Sequence, residues 1–174
     1  MYFDASQIAI ARQAFLHAEN MVTKHYRLSN DDCKNLRYDV KTLAYLEKHE
    51  VSETAFAQLC RYGYQTDGRA DIMGGWHFYR ICLQDDRIMG AVNRIGSFIK
   101  LPPLMLYIAT HELVHVIRFS AGEGIFDVTS EEKELEEQRV HSITSQMLSS
   151  IAYPDMKVVL DCFSDRPTIG DLIN

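Results

Sequence analysis

The sequence predicts a compact α+β domain, mostly helical, with a small β-hairpin or sheet at its middle and two central helices. Three observations carry the prediction. Apolar residues fall at helical spacing near the N-terminus, a long apolar run with two prolines at its start covers residues 101–119, and residues 77–92 are rich in aromatic and β-branched types bounded by turn residues. At 174 residues, 47% of them hydrophobic, the chain can bury a core without disulfides. An aperiodic stretch from Gln65 to Trp76, with glycine hinges, divides an N-terminal helical subdomain, residues 1–65, from a core with a C-terminal tail, residues 66–174.

The elements follow in order. Ile8, Ala11, Phe15, Ala18 and Val22 predict an amphipathic packing helix over residues 6–26. Ser29, Asn30, Asp31 and Asp32 offer N-caps for a second helix, whose Leu36, Val40, Leu43 and Leu46 keep the helical period through His49. Ser52 caps a third, short helix carrying Phe56, Leu59 and Cys60. Residues 77–83 and 88–92 read as the two strands of a hairpin, with Gln84, Asp85, Asp86 and Arg87 at its turn and Trp76, Phe78 and Tyr79 packing on the central helix. One of these strands, left at the edge, would suit an extended peptide added through its backbone.

Pro102 and Pro103 suit the first turn of the central helix, where missing amide donors do no harm, and Gly122 and Gly124 stop it near Ser120. After a short loop through Phe126 and Asp127, Thr129 and Glu132 make a capping box for a helix that runs to about residue 150. Residues 156–163 are apolar enough to dock on the body, and the chain from Pro167 onward is expected to be looser.

Composition excludes several classes. A net charge of −6 without a compensating basic stretch argues against a nucleic-acid backbone as partner. Cys33, Cys60, Cys82 and Cys162 form no Cys-x-x-Cys pair, which fits reduced thiols in the cytoplasm. The N-terminus lacks the basic and apolar regions of a signal peptide. Residues 101–119 approach the length of a membrane span, but His111, Glu112, His115 and the two prolines mark a core helix.

The chemistry concentrates at His111-Glu112-Leu113-Val114-His115. Residues four apart share a helix face, so both imidazoles can grip one metal ion while Glu112 addresses its open position. Apolar neighbours such as Leu104, Leu106, Ile108, Val114 and Ile117 mark the helix as buried, and buried polar groups need partners. A metal supplies them. The plain alternative is a pair of core histidines bonded to backbone, with Glu112 paired to an arginine. His17, His25 and His49 are expected to be structural.

A catalytic zinc site usually has three protein ligands and a water. The extended pattern with a third histidine is absent, because Arg118 and Ala121 stand where glycine and histidine belong. On the following helix Glu134, Glu137 and His141 share a face. In an antiparallel pair Glu134 lies about 7 Å and Glu137 about 12 Å into that helix, against about 7 Å and 13 Å for His115 and His111 measured back from Ser120. Either carboxylate can be level with the metal. Glu131, Glu132 and Glu136 are expected to be solvated, and Arg118 and Arg139 to pair with such acids.

His-Glu-x-x-His followed by a helix with a glutamate resembles the gluzincin zinc metallopeptidases, over residues 77–150. The resemblance implies a zincin-like domain with two central metal-binding helices. It also implies Zn2+ held by His111, His115 and a glutamate. Many such enzymes carry an acid four residues after that ligand; here His141 follows Glu137 and Gln138 follows Glu134. Glu137 is favoured as third ligand, with His141 orienting the site. Glu134, separated from His115 by 18 residues as in some aminopeptidase-type members, is the alternative, and His141 remains a third possibility.

The expected function is a small cytoplasmic zinc-dependent hydrolase, most simply a metallopeptidase acting on a peptide or protein. Glu112 would be general base, and Tyr107, Tyr153, His77 or His141 an oxyanion donor. No nucleic acid or membrane is expected as partner. Two rivals stand beside it. One is a non-catalytic metal- or partner-binding protein on the same scaffold. The other is a di-iron bundle, which Glu112-x-x-His115 would suit but which lacks a second Glu-x-x-His.

Overall fold

In the computed structural model, which describes residues 1–63, 77–94, 97–124, 126 and 129–164, the first helix forms where the apolar spacing puts it. Helix α1 (Ala5–His25) opens on a capping box, the Asp4 carboxylate accepting from the Gln7 amide and the Gln7 side chain from the Asp4 amide. Ala11, Ala14, Phe15, Ala18 and Val22 form its buried stripe.

The next two segments depart from expectation. Helix α2 is confined to Asn30–Asn35, and the chain continues as strand β1 (Tyr38–Lys41) and two 3-10 turns, Leu43–Tyr45 and Lys48–Glu50. Leu36, Val40 and Leu43 fit a period of 3.6, yet Leu36, Tyr38 and Val40 fit a period of 2 equally well. The third predicted helix is strand β2 (Ala57–Gly63), in which Ala57 and Leu59 join the core and the alternate residues Gln58, Cys60 and Tyr62 face away. The first part of the chain is therefore not helical throughout.

Strand β3 (His77–Leu83) forms where predicted, but with other partners. It is the centre of a sheet ordered β1-β3-β2, parallel to β1 and antiparallel to β2. The expected second hairpin strand is instead helix α3 (Asp85–Asn93). Asp85 and Asp86 sit in its first turn, where the helix dipole favours acids, and Ile88, Met89 and Ala91 are buried at helical spacing. Asp85 is itself buried: its carboxylate accepts from the Phe3 amide at 2.9 Å and the Leu43 amide at 3.0 Å, tying the chain start and the first 3-10 turn to α3. Tyr79, Ile81 and Leu83 face the core, whereas Phe78 lies on the other face with Arg80 and Tyr62 rather than on the central helix. The expected loop from Gln65 to Trp76, Asp127 and the expected looser tail from Pro167 lie outside the described residues.

Helix α4 (Leu101–Ser120) is the element the others cover. Leu101 and every residue from Pro103 to Arg118 are buried. Pro102 and Pro103 fill its first turn as predicted, and Gly122 ends it at φ +71°, a left-handed conformation that glycine adopts without penalty. Helix α5 (Ser130–Ser149) opens on the predicted Thr129–Glu132 capping box. Helix α6 (Met156–Phe163) docks through Met156, Val159 and Phe163. Helices α1, α5 and α6 and the sheet all pack against α4, giving an α+β fold. No helix among the described residues is long and apolar enough to cross a membrane.

Candidate metal centre

Helix α4 presents His111 and His115 one turn apart, with ring centroids 4.9 Å from each other. Glu137 reaches between them from α5. His111 Nε2 lies 3.2 Å from Glu137 Oε2, and His115 Nε2 lies 3.2 Å from Glu137 Oε1. One ligand atom from each of the three residues falls within 4.8 Å of the others. Among the described residues this is the sole cluster of its kind. Glu134, the alternative, is exposed and outside it.

Burial and the hydrogen bonds of Glu137 together set the charges. His111 is 1% exposed and its pKa is lowered to about 4, because desolvation disfavours the imidazolium more than the Glu137 hydrogen bond supports it. Desolvation acts the same way on His115, but the hydrogen bond and charge of Glu137 prevail and its pKa is raised. Burial works against ionised Glu137 too, yet the hydrogen bonds from His111 and His115 hold it well below the usual carboxylate range. Glu112, 4% exposed, is pushed up to about 7 by desolvation, opposed by His115 and reinforced by Glu137. The site thus joins an ionised carboxylate, Glu137, to a second carboxyl group, Glu112, whose pKa is raised.

These donors fit a divalent cation. Two imidazoles and a carboxylate are a usual zinc set, and one donor atom from each lies within 4.8 Å of the others, with each imidazole 3.2 Å from a different Glu137 oxygen. One feature departs from the usual pattern. The Nδ1 atoms of His111 and His115 are buried and have no hydrogen-bond partner among the described residues. Ligand histidines ordinarily donate from the distal nitrogen to a carbonyl or carboxylate. Here the rings are held by packing: Tyr107 stacks on His111, and Phe119, itself stacked on Tyr79, stacks on His115.

The surrounding residues divide further. His141 sits beside the site, but its Nδ1 pairs with the Tyr107 hydroxyl at 2.6 Å rather than with His111. Tyr107 is fully buried and also stacks on Phe163, with 4.2 Å between centroids, so it lies behind the ligands. Tyr153 lies against His17, and His77 is an exposed residue at the start of β3. His49 bonds the Tyr62 hydroxyl, and His25 lies against Tyr26.

Glu136 corrects the sequence reading. It is not solvated: its side chain is 11% exposed and grips Arg118 with both oxygens, at 2.7 and 3.0 Å. The expectation that Arg118 pairs with an acid holds. Its choice of Glu136 is a long-range matter that local spacing does not reveal. The stacking of Phe119 on His115 follows from their i, i+4 spacing, but Tyr79 behind Phe119 was missed, since those two meet only once the sheet lies on α4. Comparisons with protein-family models, curated proteins and solved structures found no match.

Proposed function

We propose that the chain is a metal-dependent hydrolase, a gluzincin-like peptidase in which His111, His115 and Glu137 hold Zn2+ and Glu112 is the general base. The convergence of three ligand atoms from two helices, all within 4.8 Å, is the observation that carries this reading. Bound there, zinc supplies a Lewis acid that polarises a carbonyl and makes water acidic. Glu112, next to the first ligand in sequence and with a pKa near 7, is suited to take a proton from attacking water and return it to the leaving amine. A positioned acid–base of this kind contributes on the order of 10²–10⁴ in rate. We place the protein in the cytoplasm, where its four free thiols stay reduced, and take a peptide or protein as substrate.

The test pairs metal analysis with a single substitution. Purified protein is expected to hold one zinc per chain. Glu112→Gln is expected to keep that metal while peptide cleavage falls by the full acid–base factor. A variant as active as the parent would refute the mechanism.

A second reading, a non-catalytic metal- or partner-binding protein, is favoured by one observation: Glu112 and both histidines are at most 5% exposed. Stoichiometric zinc with no turnover across broad peptide libraries would select it.

A further inference from the structure

We infer that Arg118 is a positioning residue for the metal centre: its buried fork on Glu136 fixes the register of α5 against α4 and thereby aims Glu137 between His111 and His115. The inference rests on reading those three residues as ligands. It assigns the zinc affinity of the site in part to a charge pair that touches no ligand atom.

The geometry is specific. Arg118 Nε donates to Glu136 Oε1 at 2.7 Å and Nη2 donates to Oε2 at 3.0 Å, a parallel two-bond arrangement that fixes direction as well as distance. Nη1 donates to Glu123 Oε2 at 3.0 Å, and Nη2 also reaches the Glu123 carbonyl at 3.4 Å, so the loop between the helices is bound as well. Arg118 is 6% exposed at its side chain and Glu136 11%, which removes this pair from the class of solvent-screened surface contacts. Gly124 lies against it. A Cβ at Gly124 would stand 2.9 Å from Glu136 Oε1 and 2.9 Å from the Phe119 ring, so the bare glycine lets the backbone pack on the carboxylate.

Position makes the pair consequential. Glu136 and Glu137 are consecutive, so their side chains leave α5 about 100° apart. Arg118 lies one turn beyond His115 on α4, about 4.5 Å along the axis. At the opposite end of the site the Tyr107 hydroxyl meets His141 at 2.6 Å. Going up α4 through Tyr107, His111, His115 and Arg118, the partners on α5 run down through His141, Glu137 and Glu136. The metal centre is bracketed by two polar ties. Slippage of α5 by one residue, about 1.5 Å and 100°, would swing Glu137 away from both imidazoles. The buried apolar residues of α5, Val140, Met147 and Leu148, lie further along the helix and are more tolerant of small shifts than a two-bond fork.

The test uses the full chain, with Zn2+ affinity and the visible absorption of bound Co2+ as readouts, and compares the parent with Glu136→Gln and with the double variant R118M/E136L. The double variant replaces the buried pair by apolar residues of similar size, a change that often leaves stability intact while abolishing the fork. Both are expected to bind Zn2+ about ten- to hundredfold more weakly, the range typical of groups behind metal ligands, and to show altered Co2+ bands. The double variant is expected to do so with the melting temperature of the metal-free protein unchanged, which a merely structural role would not produce. Parent-like affinity and Co2+ spectrum in the folded double variant would overturn the inference while leaving the ligand assignment standing. If the parent itself binds neither metal, the ligand assignment fails and the inference with it.

Discussion

Replacing Glu112 by glutamine should make the metal-free protein more stable, and by an amount that depends on pH. The folded protein raises the Glu112 pKa from an ordinary 4.5 to about 7, chiefly through desolvation. Between those values the folded state keeps a proton that the unfolded chain has released, so stability falls as pH rises. The penalty is absent below pH 4.5 and complete above pH 7. At about 1.4 kcal/mol per pH unit, it amounts to roughly 3 kcal/mol.

Glutamine has the shape of glutamate and no charge, so Glu112→Gln removes this penalty, and with it the smaller support that the Glu112 charge lends to protonated His115. Its advantage over the parent should grow from less than about 1 kcal/mol near pH 5 to about 3 kcal/mol near pH 8, or roughly 6–12 °C in melting temperature. His111, whose pKa is lowered to about 4, has the opposite sign: its contribution is lost as pH falls below the ordinary 6.5. To first order that effect is common to both proteins and cancels in their difference. Denaturant titrations in chelator at several pH values measure it. Saturating zinc should shrink it, since a neighbouring cation favours the carboxylate. A difference that stays flat with pH would show that Glu112 is not held protonated by its surroundings.

Two further predictions bear on the ligands and on the frame that holds them. Glu137→Ala should weaken zinc binding by more than about a hundredfold, beyond the range for groups behind the ligands, whereas Glu134→Ala should stay within about twofold; calorimetric titration separates the two. Asp85→Ala strips the buried amides of Phe3 and Leu43 of their acceptor and should cost roughly 2–5 kcal/mol in denaturant titration, with Asp85→Asn losing less because one acceptor oxygen remains.

Local chemistry was legible where the local signal had a single solution. A first turn with two prolines, the Thr129–Glu132 capping box and an apolar stripe at Ala11, Phe15, Ala18 and Val22 each admit one reading, and α4, α5 and α1 formed accordingly. The spacing His111–His115 fixes two donors on one face of any helix containing it, so two of the three residues of the candidate centre were brought together by local structure alone. Antiparallel pairing left Glu137 and Glu134 both level with the imidazoles, and only His141, four residues after Glu137, tipped the choice.

Segments with two local solutions were decided by the sheet. Residues 36–46 fit helical and strand periods alike, and β1 formed because β3 offers a backbone ladder and Arg80 forks onto Asp39 at 2.9 Å from both Nε and Nη2. Residues 85–93 are apolar enough for a strand, yet Asp85 closes on amides 82 and 42 residues away, which anchors a helix start there. The sequence by itself determined which side chains could bind a metal and which helices carry them. Only the tertiary structure decided which acid meets the imidazoles, because that depends on the register of α4 against α5, set by contacts such as Arg118 with Glu136 that no local period encodes.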